Sequence, residues 1–510
     1  MRPAVVPALL LVTFLALPAI AHAQEQFGAA LGPIAAPCGI PAPGLSGRAT
    51  LSLDVATHTL FYRIETNVPS APTNDAHILL GASCAFSPQF ALAGGFTEWR
   101  GSQVLTAAQE HSLYAGDLYV QVRTSVLPLQ GLEGRVVKTV RRHLGGGLCG
   151  GCFFPGSPSP FTGTMSFVVH QPENVVTFDV QTNLLGTVIV GELVFFGPSV
   201  IPIAPIGPGV MTASGARWCG TIGPLTTTQI QMLMSGSTFL IVRTTAFPGG
   251  EIGGPVAQAF ENFVAKLNGA KAVPATPSPA TGFGQFTLNT NTLELSYNVS
   301  WTGALGMGAE ILIGEPDVPG LPVFPLIGPP NGPWIGTTPP LTPALLDALF
   351  QYGLSVNVHS VPFPVEVRGQ IAANPDVYGY AGPTSAPPLG RILRVGEVGL
   401  PTLGNPAFGV TVCDALPLAP CTLGLAPDLT GTPLDLGTLL PPLAGHMMWA
   451  NFTNSFAATA DGNGCASLFF PIPPTPTLRG AEVYFQWYSI DLAANFLGVV
   501  SSDALHVTLQ

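Results

Sequence analysis

The chain has 510 residues, a formal charge of −11, only 9% charged residues, 60 Gly and 53 Pro. So little charge excludes a charged disordered chain, Gly and Pro interrupt any long coiled coil, and glycine lacks the three-residue period of collagen. The basic residues are 3 Lys and 14 Arg, too few for general nucleic-acid binding.

Residues 1–23 read as a secretory signal: Arg2, an apolar run over Ala4–Ile20, then Ala21-His22-Ala23 before Gln24. The mature chain is therefore expected to be secreted or held at the cell surface, where disulfides are allowed. Val188–Met211 is apolar enough to resemble a membrane span. However, Pro198, Pro202, Pro205 and Pro208 exclude a spanning helix. It reads as a buried strand followed by an apolar loop, so no integral membrane segment is expected after signal cleavage.

Three segments share one order of landmarks. Each opens on a small-residue strand: Gly47–Leu51, Gly163–Phe167 and Gly282–Phe286. A second strand follows at Thr59–Glu65, Val175–Val180 and Leu293–Val299. A third closes on Gly81, Gly197 and Gly314. After a Pro/Gly-rich excursion comes a short helix that opens on Leu-Thr (Thr106, Thr226, Thr342) and ends before Gly116, Gly236 and Gly353. Thr at the start and Gly past the end are the residues those positions favour. An alternating strand then runs over Leu118–Arg123, Phe239–Arg243 and Leu354–His359. A period near 117 residues with several period-2 strands per unit predicts tandem antiparallel β-sandwiches. The predicted units are 24–142, 143–260 and 261–375. A turn-rich linker over 376–399 and a different, fourth sandwich over 400–510 follow.

Repeat three carries Ala265-Lys266-Leu267-Asn268-Gly269, Val273-Pro274, Gly282, Tyr297-Asn298-Val299, Val356-Asn357-Val358-His359-Ser360 and Glu366-Val367-Arg368-Gly369-Gln370. This resembles the CHRD domain, named from chordin and common in secreted microbial proteins. Repeats one and two resemble it through their alignment to repeat three. The resemblance implies an all-β immunoglobulin-like sandwich, similar to Cu/Zn superoxide dismutase, with no established catalytic activity. The last unit, through Leu403-Gly404-Asn405-Pro406, Leu478-Arg479-Gly480, Phe485-Gln486-Trp487 and Ser501–Leu505, resembles a C-terminal β-domain of exported proteins of environmental bacteria.

Superoxide dismutase-like strands bind copper through His-x-His, and CHRD repeats typically carry His-Ile-His on the third strand. This chain departs from that pattern. His77 is followed by Leu79, Glu192 by Val194, and Glu310 by Leu312. The residues expected to face them are Arg123, Arg243 and His359. Glu192 and Arg243 are accordingly predicted to form an ion pair, not a metal site. Cys149 and Cys152 form a lone CxxC in a Gly-rich stretch, without the second pair zinc needs or the helix a redox motif needs. It reads as a structural disulfide. Cys413 and Cys421 flank an apparent hairpin and are predicted to pair, leaving Cys465 free or bonded elsewhere. Arg135, Lys138, Arg141, Arg142 and His143 are the only basic cluster. It reads as a solvated strand end, or as a contact for an anionic glycan or acidic partner.

Hydrolase and phosphate-loop motifs are missing. The expectation is an exported, non-enzymatic multi-domain β protein without cofactor. It would bind an unknown extracellular protein or glycan, for adhesion or scaffolding. Its variable loops (82–104, 198–225, 315–341) are the expected contact regions. The rival expectation is a degenerate or active superoxide dismutase-like metalloprotein.

Overall fold

A computed structural model of the chain describes residues 24–510 apart from 35–43, 69–74, 82–86, 96, 124–130, 186–187, 197–199, 208–209, 213–214, 259, 304, 386–391 and 430–432. The signal predicted for 1–23 lies outside the described residues, as do Cys38 and Cys84.

Alternation makes the strands. In Thr281–Asn289, Phe286 and Leu288 are buried while Gln285, Thr287 and Asn289 are half-buried. In repeat two the hydrogen-bonded order is Val200–Gly207, Val188–Phe196, Thr238–Thr244, Ile252–Gln258, Val140–Cys149, Thr162–Gln171, Val175–Thr182, Gly215–Ile222, Val210–Thr212. Repeat one follows the same order from Ser87–Ala91 to Gly94–Gly95. Repeat three also follows it, but ends at Trp334–Thr337. Each sheet folds over itself. Leu193, Leu240, Val242 and Ile252 from one half of the repeat-two sheet meet Phe167, Val169, Val180 and Trp218 from the other in one buried cluster. Each such side chain contributes about 1.5–3 kcal/mol by leaving water, so the two halves close as a sandwich.

The apolar stretch read as a loop after the third strand of repeat two is itself a strand. Val200–Gly207 pairs with Val188–Phe196, Val194 facing Pro202 and Glu192 facing Pro205. It lies at the sheet edge, where proline's missing N–H breaks no ladder.

The short helices are α1 (Ala107–Tyr114), α2 (Thr227–Met234) and α3 (Pro343–Phe350). Thr106, Thr226 and Thr342 each accept the backbone N–H three residues on. In α1 and α2, Gln109 and Gln229 reach back to complete a capping box. Leu345 cannot do so in α3. Thr106→Ala and Thr226→Ala are therefore each expected to cost about 1 kcal/mol in urea unfolding. Thr342→Ala should cost less; an equal or larger loss there would contradict the capping-box account. Past α1 and α2, Gly116 and Gly236 take positive φ (68° and 73°). Past α3 that conformation falls to Tyr352 (φ 65°), unusual for an aromatic residue.

A tryptophan marks each repeat. Trp99, Trp218 and Trp334 are 1%, 0% and 1% exposed on corresponding strands. On the neighbouring strand, Tyr62, Phe178 and Tyr297 sit opposite Gly101, Gly220 and Gly336. Only glycine admits the tyrosine rings: a Cβ on Gly101 or Gly336 would lie 2.7 or 2.6 Å from the hydroxyl oxygen. Those hydroxyls accept the backbone N–H groups of Ala93 (2.8 Å) and Ile327 (3.0 Å).

The C-terminal unit has a five-stranded sheet ordered Asp376–Tyr378, Val499–Thr508, Glu482–Ile490, Pro420–Ala426, Asn454–Thr459. It faces a three-stranded sheet of Arg394–Val398, Gly409–Cys413 and Ala466–Phe469. Val395, Val410 and Val412 share one core with Leu423, Trp487 and Leu505, so this unit is also a sandwich. The segment read as a linker over 376–399 supplies a strand to each sheet, Asp376–Tyr378 and Arg394–Val398.

Candidate functional site

The third-strand polar positions hold pairwise contacts. Arg243 Nη2 lies 3.2 Å from Glu192 Oε2 and Nη1 donates to the carbonyls of Pro248 and Gly249. Both side chains are nearly a third exposed, so the pair contributes little to stability. In repeat three His359 Nε2 lies 3.0 Å from Glu310 Oε1. Repeat one differs from expectation. Asp75 stands opposite Arg123, where repeats two and three have Val190 and Gly308 opposite Arg243 and His359; His77 approaches Asp75 (3.8 Å) and Arg123 donates to Gln121 (2.8 Å). The i+2 residues Leu79, Val194 and Leu312 are buried and offer no ligand atom.

Apart from the exposed Arg135, the basic cluster is not a solvated strand end: its side chains join the units. Lys138 pairs with Glu25 at 2.9 Å and lies over the rings of Phe27 and Tyr352. Arg142 sits 4.1 Å from the Phe350 ring centroid of repeat three. Arg141 pairs with Glu397 at 2.7 Å. His143 bridges Glu261 (2.7 Å) and Glu397 (2.9 Å), linking repeats two and three to the C-terminal unit. Arg135 donates to the carbonyl of Gly116. Burial disfavours charge on His143, but Glu261 and Glu397 outweigh it and raise its pKa to about 9. Burial likewise opposes ionisation of Glu397, but Arg141 and His143 prevail and lower it to about 2.

A second web ties repeats one and two to the same unit. Arg63 pairs with Glu65 (2.7 Å) and Glu98 (3.1 Å) and donates to the Ala381 carbonyl. Arg394 pairs with Glu173 at 3.1 Å. Gln26 donates to the Gly379 carbonyl (2.7 Å), and Phe61 meets Trp449 edge-on. On repeat three, Asn374 exchanges two hydrogen bonds with the backbone of Thr508. The C-terminal unit thus contacts all three repeats.

Of the two expected disulfides, the one between Cys149 and Cys152 is present and the one between Cys413 and Cys421 is not. Cys149 and Cys152 are bonded to each other, and Cys219 is bonded to Cys465. Cys413 and Cys421 are both buried free thiols. They do not form a hairpin pair because their strands belong to opposite sheets of the sandwich. The sulfurs of Cys219 and Cys465 with Asp461 form a candidate metal-ligating group among the described residues. With both sulfurs in a disulfide the thiolates a metal needs are not available.

All three lysines of the chain line one cavity of about 220 Å³ between repeat one, repeat three and the C-terminal unit. Lys138 and Lys266 answer Glu25 and Glu482 (2.9 and 2.8 Å). Burial lowers the pKa of Lys271, with Glu482 opposing. Tyr352, in its positive-φ conformation, forms part of the wall. Sequence reasoning missed this junction, because its residues lie in three units.

Repeat three also presents an apolar end. Gly306 faces Ser360, and the Val361 N–H reaches the Leu305 carbonyl. The Leu326 N–H reaches Ala309. These contacts gather Leu305, Met307, Ile327 and Val361, each 62–71% exposed.

Residues 263–371 match the CHRD domain, so the third repeat is a CHRD domain. No curated protein matches the chain in sequence. Among solved structures, a tetra-tandem repeat from the extending region of a large adhesion protein aligns at 10% identity over 89% of this chain and 96% of that one, with a TM-score of 0.15. A structure concerned with host cell surface retention of a 1.5-MDa bacterial ice-binding adhesin aligns at 10% identity over 66% and 91%, also at 0.15. Trypsin-activated alpha-2-macroglobulin from Escherichia coli aligns at 9% identity over 96% and 39%, at 0.16. Among the described residues, no helix is long and apolar enough to cross a membrane.

Proposed function

We propose that this protein, with its CHRD domain at 263–371, is an exported, non-enzymatic scaffold. In this reading the CHRD repeat binds an extracellular protein through its apolar end. The carrying observation is the division of side chains. Arg141, His143, Arg63 and Arg394 are spent on ion pairs, whereas Leu305, Met307, Ile327 and Val361 stay in water. Grouped exposed apolar side chains favour a protein partner over a glycan. The C-terminal unit, touching every repeat, would keep that end fixed relative to the rest of the molecule.

Two measurements test this. Serine at positions 305, 307, 327 and 361 together is expected to lower binding to intact cells or their surface proteins at least tenfold, with an unchanged circular dichroism spectrum and melting temperature. Unchanged binding would overturn the assignment. Metal analysis of the purified protein is expected to find far less than one equivalent of copper or zinc. A stoichiometric amount would favour the superoxide dismutase-like alternative.

A further inference from the structure

Cys465 has two partners within reach. It is bonded to Cys219 of repeat two. It also lies across from Cys413: Gly409–Cys413 and Ala466–Phe469 pair antiparallel with Val412 opposite Ala466, so positions 413 and 465 face each other at the next step. Directly opposed residues in such a ladder have Cα atoms roughly 4.5–5.5 Å apart, within the span a disulfide bridges. Cys219, Cys413 and Cys465 form one buried cluster.

Asp461 completes the arrangement. Its Oδ1 accepts the N–H groups of Asn463 (2.8 Å) and Cys465 (3.1 Å), which holds the carboxylate in place. Its Oδ2 lies 3.5 Å from Cys219 Sγ. A disulfide sulfur has no proton to donate, but a freed Cys219 thiol would.

The geometry points to a thiol–disulfide exchange site in which Cys465 trades Cys219 for Cys413. The Cys413 thiolate attacks Cys465 Sγ. The 413–465 bond forms as the 219–465 bond breaks, and Cys219 leaves as a thiolate. Cys219 takes up the proton that Cys413 gave up, and Asp461 Oδ2 accepts its S–H. Nothing is oxidised or reduced overall. One linkage fastens repeat two to the C-terminal unit across 246 residues of chain; the other stays inside the C-terminal unit. Burial pushes the Cys413 thiol above its ordinary range, which keeps exchange slow while the junction is closed. The other free thiol among the described residues, Cys421, lies on the opposite sheet and contacts Ser489 and the Ala419 carbonyl, so it takes no part.

The test uses the full chain produced under oxidising conditions. It is incubated at pH 8 with a small amount of reduced glutathione, acid-quenched, alkylated in denaturant, and its linkages mapped by mass spectrometry. The label is expected to move from Cys413 to Cys219 in a growing fraction of molecules, while Cys421 stays labelled throughout. Cys219→Ser is expected to yield a 413–465 bond. Cys413→Ser is expected to keep Cys465 bonded to Cys219, with no label at 219. Absence of label at Cys219 at all times in the wild type, or free thiols at both 413 and 465 in the Cys219→Ser protein, would overturn the proposal. Because the wild-type measurement needs no substitution, misfolding of either variant leaves the test intact.

Discussion

Replacing Trp334 with alanine is expected to destabilise the CHRD repeat by about 3–5 kcal/mol, measured as a lower urea midpoint. Trp334 is 1% exposed and shares the repeat-three core with Phe286, Tyr297 and Val299. The surrounding backbone is shaped to its ring: Cβ atoms placed on Gly328 or Gly332 would come within about 3 Å of it. Truncation therefore leaves a cavity whose walls are backbone and close poorly. Among the described residues the strand Trp334–Thr337 is also an edge, paired with Glu294–Trp301 alone. Trp218 in repeat two has an outer neighbour, Val210–Thr212, and its loss should propagate less into strand order. With four units in contact, unfolding need not be two-state. The expected signature is an early transition in the Trp334→Ala protein that the wild type lacks. A cost under about 1 kcal/mol would show that the tryptophan is not the keystone its burial implies.

Much of this architecture was legible because its signals are local. Strand alternation, the Thr starts of the helices and a shared order of landmarks all lie within one unit. The three tryptophans were equally visible at steps of 119 and 116 residues, yet a single aromatic residue per unit has no meaning until its strand is paired. The pairings that failed were long-range. The 140s basic cluster looks solvated because its counter-charges, Glu261 and Glu397, lie 118 and more than 250 residues away. Cys413 and Cys421 looked like hairpin partners because only eight positions separate them, but the connection between them crosses from one sheet to the other. Proline misled in the reverse direction, since Val200–Gly207 tolerates Pro202 and Pro205 as an edge strand. Sequence spacing reports what one element does; the joint between units depends on residues that only the fold brings together.

That joint carries the second large effect. Glu397→Gln is expected to cost about 3–5 kcal/mol, the penalty for leaving a buried cation without its partner. The side chains of Glu397 and Arg141 are each 5% exposed. Arg141 Nε and Nη1 already lack hydrogen-bond partners, so its link to Glu397 is its only direct ion pair among the described residues. The same substitution removes one of the two carboxylates that hold His143 charged. The pH dependence follows from the two shifts. Glu397 is lowered from 4.5 to about 2, so its contribution is complete above pH 4.5 and fades as pH falls through about 2. His143 is raised from 6.5 to about 9, so its contribution is complete below pH 6.5 and fades as pH rises through about 9. Asp503 lies at the same junction, where burial raises its pKa to about 7 against the pull of Arg394 and Arg141. It lowers stability from about pH 4 to 7 in wild type and variant alike, and largely cancels in their difference. Wild type minus Glu397→Gln, followed by urea unfolding across pH, should therefore peak between 4.5 and 6.5 and shrink on both sides. A difference that stayed flat from pH 2 to 10 would show that Glu397 acts by packing alone, and that the ionic joint does not hold the repeats to the C-terminal unit.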